Sequence, residues 1–131
     1  MGARENAALV CEYLARVSRG DPSFSDLFAD DIVWWVTPGS KAGGTYEGRA
    51  AVLEMIGAGV ERYAAGAPLT FEIERVVADD EWASVQLVLE ARTAAGRAYR
   101  NHYHIAFQLR AGAIVYAKEY LDTKVAADAF G

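Results

Sequence analysis

From Leu69 to the end of the chain, apolar and polar residues alternate with a period of two through the runs LTFEIERVV, WASVQLVLEAR, RAYRNHYHIAFQLR and AIVYAKEYLDT. Successive strand side chains point to opposite faces of a sheet, so this pattern suits half-buried strands and no helix. Four strands in series are therefore expected. The connections AAG at 94–96 and RAG at 110–112 are short and contain glycine, which makes the last three strands an antiparallel meander.

The first half of the chain reads differently. Val10, Tyr13, Leu14 and Val17 recur at helical spacing, giving a helix from about Arg4 to Ser18 with Gly20 as its exit. Asp21 before Pro22 is an N-cap signature, and Phe24, Leu27 and Phe28 provide the apolar side of a short second helix. DIVWWV from Asp31 reads as a strand buried on both faces, and the glycine-rich TPGSKAGGTYEG after it as a loop. Val52, Leu53, Ile56, Val60 and Tyr63 then set the longest helix, from about Gly48 to Ala64. Helices followed by a run of strands predict an α+β fold, with helices on one face of a curved antiparallel sheet and residues 1–131 as a single domain.

Composition limits what such a domain can do. A chain of 131 residues buries roughly two-thirds of the surface it exposes when unfolded. With a net charge of −5 and its basic residues scattered, it has no electrostatic footprint for nucleic acid. No apolar run is long enough to span a membrane, so a soluble, cytoplasmic protein is expected. The single cysteine, Cys11, excludes an internal disulfide and a multi-thiolate metal site. There is no dinucleotide-binding glycine turn and no metal-ligand cluster, so cofactor-independent chemistry is the simplest expectation.

Parity assigns faces. On RAYRNHYHIAFQLR the odd positions, Tyr99, Asn101, Tyr103, Ile105, Phe107 and Leu109, go to the helix-covered side, and Asn101 is the polar group carried in with them. A buried amide needs partners, so Asn101 either braces a neighbouring backbone or contacts a ligand. His102 and His104 fall on the outer face, solvated or packed against a second subunit. On the last strand both parities mix apolar and charged residues. Alternation there leaves Asp122 undecided between a strand end in water and an acid at the mouth of a cavity, and Lys118 shares its parity.

The segments RGDPSFSDLFADDIVW, PG with GTYEGRAAVLEMI, and GRAYRNHYHIAFQLRAGAIVYAKEYLDT together resemble the SnoaL-like polyketide cyclases of the nuclear transport factor 2-like superfamily. The resemblance implies a cone of helices over a strongly curved antiparallel sheet enclosing an apolar pocket, and a homodimer through the outer sheet face. The acid near the end of the last strand in that family falls on Asp122, within EYLDT, and is its general acid/base. Burial against Tyr116, Tyr120 and Trp34 would raise its pKa towards neutrality. The chain also resembles limonene-epoxide hydrolases in part. Asp122 matches one of their two aspartates, Trp34 and Val36 occupy their Tyr and Asn positions, and their Arg-Asp strand falls on Val88 and Glu90 or on Gln86 and Val88. Ketosteroid isomerases offer a third comparison, because Tyr13 stands eight residues before Asp21 as their oxyanion tyrosine stands before its Gly-Asp turn. Their other two roles fall on Val36 or Thr37 and on Ile105.

Two readings of function follow. In the first, a cofactor-independent enzyme of cyclase, isomerase or hydrolase type acts on a hydrophobic cyclic molecule, with Asp122 moving a proton. Tyr13, Tyr103 and Asn101 would hydrogen-bond a carbonyl or enolate. Trp34, Ile105 and Phe107 would line the pocket, with Tyr120, Val88 and Glu90 at its substrate-binding edge. In the second, the same cone binds a small molecule without catalysis, or serves as a dimeric scaffold, and Asp122 caps a strand end.

Overall fold

The computed structural model of the protein describes residues 2–131. Helix α1 (Ala3–Ser18) leads through a 3₁₀ segment (Pro22–Leu27) into β1 (Phe28–Val36) and β2 (Gly44–Glu47). Then come α2 (Arg49–Val60), the strands β3 (Thr70–Ala78), β4 (Trp82–Arg92), β5 (Ala98–Arg110) and β6 (Ala113–Leu121), and a last helix, α3 (Thr123–Phe130). The six strands form one sheet in the order β2-β1-β6-β5-β4-β3. All neighbours are antiparallel except β1 and β6, so the sheet is mixed rather than wholly antiparallel. Parallel neighbours need a long connection, and everything from β2 to β5 lies between these two.

The helices cover one face. Helix α1 packs on β3, β4 and the 3₁₀ segment, α2 on β1 and β2, and α3 on β5. Val10 and Leu14 of α1 are buried as the helical spacing requires. The helix ends where Gly20, at φ 70°, turns the chain; its N–H donates to the Val17 carbonyl at 3.1 Å and that of Asp21 to Arg16 at 2.9 Å. Between the helices and the sheet, Phe28, Ile32, Trp34, Leu87 and Phe107 form the centre of the core. Among the described residues no helix is long and apolar enough to cross a membrane.

Several elements depart from the sequence reading. Strand β1 is not buried on both faces: Ile32, Trp34 and Val36 point into the core, while Trp35 lies on the outer face under the Lys118 ammonium. The glycine-rich loop contains β2, in which Thr45 and Tyr46 pair with Trp35 and Trp34. Helix α2 stops at Val60 instead of Ala64. Past Gly57 and Gly59 the chain turns so that Tyr63 bridges to Thr93 and Ala64 N–H donates to the Arg92 carbonyl at 2.9 Å.

Asp122 belongs to the fold rather than to a cavity. It is the N-cap of α3: its Oδ1 accepts from the N–H groups of Lys124 at 3.0 Å and Val125 at 3.2 Å, and the residue is exposed. These bonds satisfy orphan donors in the first turn of the helix. Asn101, fully buried, fixes the same junction by donating through Nδ2 to the Asp122 carbonyl at 3.0 Å. Asp122→Ala is expected to cost about 1 kcal/mol in chemical denaturation, and Asp122→Asn only a fraction of that, because Asn is as good a cap. Equal losses in the two variants would contradict the capping role.

Candidate functional site: a carboxyl group in an apolar cavity

The hairpin between β5 and β6 decides which side chains enter the interior. Ala111, at φ 51°, and Gly112, at φ 77°, form the two-residue turn that joins Arg110 to Ala113. Next to it Leu109 pairs with Ile114, but Gln108 pairs with Tyr116, so Val115 is an extra residue on β6. Such a bulge shifts the register by one and exchanges the faces of every residue beyond it. Ala117, Glu119 and Leu121 consequently lie opposite Phe107, Ile105 and Tyr103 on the inner face. Tyr116, Lys118 and Tyr120 go outside.

Glu119 thereby enters a cavity of about 160 Å³ between the helices and the sheet. Its wall is mainly apolar, with Leu14, Trp34, Ile56, Leu87, Ile105 and Leu121 among its residues. Helix α3 closes one side through Ala126 and Phe130, the latter tilted against Tyr99 at 4.9 Å and edge-on to Tyr63 at 5.6 Å between ring centres. The Trp34 indole N–H donates to Glu119 Oε1 at 3.0 Å. Burial away from water disfavours the carboxylate and pushes the Glu119 pKa up from 4.5 to about 7, while the indole bond, which favours the charged form, pulls the other way.

The polar groups that share the cavity are tyrosines. The hydroxyls of Tyr99 and Tyr103 lie 2.9 Å apart, and Asn101 Nδ2 donates to the Tyr99 oxygen at 2.7 Å. The pair has two protons and spends one between its own oxygens, which leaves one O–H to donate elsewhere. Burial raises the pKa of Tyr13, Tyr63, Tyr99 and Tyr103, so all four stay neutral donors. The charge of Glu119 pushes each in the same direction.

Of the residues singled out in the sequence, Tyr13, Trp34, Tyr103 and Ile105 line this cavity. Tyr13 sits within a ring cluster, 6.0 Å from Trp34 and 5.8 Å from Phe107. Phe107 itself is wholly buried beneath them as core. Asn101 braces Tyr99 and the Asp122 backbone, the first of its two readings. Asp122, Tyr120, Val88 and Glu90 are not among the lining residues. Asp122 is the exposed cap, and the bulge turns Tyr120 outward against Trp35 at 5.0 Å. Val88 and Glu90 pair with the outward His102 and Arg100, and Glu90 binds the Arg100 guanidinium at 3.1 Å. Lys118 rests over the Trp35 ring at 4.8 Å. His102 and His104 are exposed, and among the described residues no group of three His, Cys, Asp or Glu side chains is placed to hold a metal ion.

An α+β domain with helices on one face of a six-stranded mixed sheet is the fold this chain shares with NTF2-like proteins. The chain belongs to the SnoaL-like domain family, whose sequence profile matches residues 10–117. In three dimensions it is similar to an NTF2-like protein from Burkholderia xenovorans LB400, with a TM-score of 0.82 at 24% identity over 100% of this chain and 99% of that one. It is similar to Bal32a from a soil-derived mobile gene cassette, with a TM-score of 0.82 at 23% identity over 98% and 97% of the two chains. A Bacillus subtilis protein proposed to be an isomerase superposes with a TM-score of 0.78 at 19% identity, over 98% of this chain and 94% of that one. The search of curated proteins finds no match.

Glu119 couples the site to stability. Its folded-state pKa lies above its unfolded value, so the folded chain holds the proton longer; the carboxyl costs nothing below about pH 4.5, and stability is lost as pH rises through about 7. Glu119→Gln should match the wild type near the lower limit and exceed it at higher pH by up to about 3 kcal/mol, read by urea unfolding across that range. Parallel pH profiles in the two proteins would contradict the placement of the carboxyl.

Proposed function

We propose that the protein is a small-molecule enzyme of isomerase type that uses Glu119 to move a proton within the cavity. The observation that carries this reading is one carboxyl group, hydrogen-bonded by Trp34, in an apolar cavity with neutral tyrosine donors beside it. A base whose pKa is close to the working pH is both deprotonated often enough and basic enough to be useful. Engineered cavities of roughly 150 Å³ take up benzene, so a substrate portion of about one ring fits this space.

In the proposed reaction the Glu119 carboxylate takes a proton from carbon next to a carbonyl. The C–H electron pair moves into the new C=C bond, and the carbonyl oxygen becomes an enolate oxygen. Tyr13 and the spare hydroxyl of the Tyr99–Tyr103 pair donate to that oxygen, where charge develops. Where the substrate carries a C=C bond β,γ to the carbonyl, the enolate is a dienolate, and return of the proton to its far carbon gives the conjugated isomer and restores the carboxylate, with no oxidant or second substrate. The family membership and the fold shared with the Bacillus subtilis protein support this reading.

Proton transfer can be followed without the natural substrate, as exchange of the α-hydrogens of 2-cyclohexenone with D2O by NMR. The protein should accelerate exchange, with a rate that rises as pH passes through about 7. Glu119→Gln should lower the enzymatic rate by about 10²–10⁴, and Tyr13→Phe by a smaller factor. Saturable binding of the ketone with no acceleration of exchange would instead identify a non-catalytic binding protein.

A further inference from the structure

Groups of both charge signs line the cavity. Glu119 is the acid within it, while Lys41, in the β1–β2 connection, and Arg62, just past α2, are the basic residues of its lining. Both also line a shallow depression outside α2, together with Tyr46, Ala51 and Glu54, which places them at the rim. Lys41 Nζ donates to the Phe130 carbonyl at 3.2 Å, at the end of the helix that closes the cavity.

Among the described residues neither rim cation forms an ion pair; the pairs present use Arg16, Arg19, Arg100 and Lys124. In a chain of net charge −5, two unpaired cations beside one opening favour an anion there. Glu54 lies in the outer depression but does not line the cavity.

We infer that the ligand is a small amphipathic acid, with its ring and carbonyl inside and its carboxylate held at the rim by Arg62 and Lys41. This rests on the reading of the cavity as the substrate site, and it narrows the substrate class to cyclic or unsaturated oxo acids. Electrostatics keeps the charged end out of the cavity. A carboxylate pushed inside would lose its hydration and meet the charge of Glu119 in a poorly screened space. At the rim it meets a guanidinium, whose planar fork matches a carboxylate, and an ammonium. The charge pattern therefore orients the molecule as well as attracting it, and the carbon to be deprotonated is the end delivered to Glu119.

The test compares 3-phenylpropionate with 3-phenylpropan-1-ol, which share the ring and chain and differ in the charged end. Binding is followed by titrating the Trp34 indole N–H signal in ¹⁵N NMR at low salt and about pH 8. The acid should bind about tenfold tighter than the alcohol. The preference should vanish in Arg62→Gln/Lys41→Gln, diminish in each single variant, and persist in Glu119→Gln. Equal binding of the two probes to the wild type would overturn the inference while leaving the cavity reading intact. So would a preference that survives in the rim double variant. Failure of both probes to perturb Trp34 would overturn the inference and the cavity reading together.

Discussion

One extra residue in one strand governs this molecule. With Val115 bulged out of the β5–β6 ladder, the inner face of β6 carries Ala117, Glu119 and Leu121. In an unbulged ladder Lys118 and Tyr120 would occupy those places, and an ammonium would stand where the carboxyl now stands. The bulge thus brings Glu119 across from Ile105 and within 3.0 Å of the Trp34 indole. It also sends Lys118 to the outer face, where the Trp35 and Tyr120 rings flank it at 4.8 and 5.7 Å.

The same constraint separates what was legible in the sequence from what was not. Period-two alternation located β3 to β6, and helical spacing located α1 and the start of α2, because in all of these but β6 one face is mainly apolar and the other mainly polar. The parity of β5 placed Tyr103, Ile105 and the buried Asn101 correctly, since that strand keeps its alternation throughout. On β6 parity was ambiguous, and the ambiguity was physical: a bulge exchanges faces part-way along the strand. Pairing β6 outward from the RAG turn, with one residue left over so that Ala117 rather than Lys118 faces Phe107, is the signal that would have found Glu119. Helix α3 also went unread. Asp122 at its N-cap, followed by Val125, Ala126, Ala129 and Phe130, contains the cap and the apolar spacing of a helix.

Resemblance to known enzymes points to the family and to Asp122 as its acid. It drew attention to EYLDT, where the fold uses the aspartate to start α3 and uses the glutamate three residues earlier in the cavity. The two acids are nevertheless connected. Asp122 starts the helix whose Phe130 closes the cavity, and Asn101 ties the Asp122 carbonyl to the tyrosine pair that faces Glu119. A residue that does no chemistry in this account still sets the shape of the space in which the chemistry is proposed.

The proposed chemistry stands on the protonation of a single side chain. A titration of the Glu119 side-chain carboxyl by ¹³C NMR, assigned by comparison with Glu119→Gln, should give a midpoint of about 7, and that midpoint should move higher in Trp34→Phe, which lacks the indole donor. A midpoint near 4.5, unaffected by the loss of the indole, would mean that the carboxyl is solvated and that the cavity holds no base.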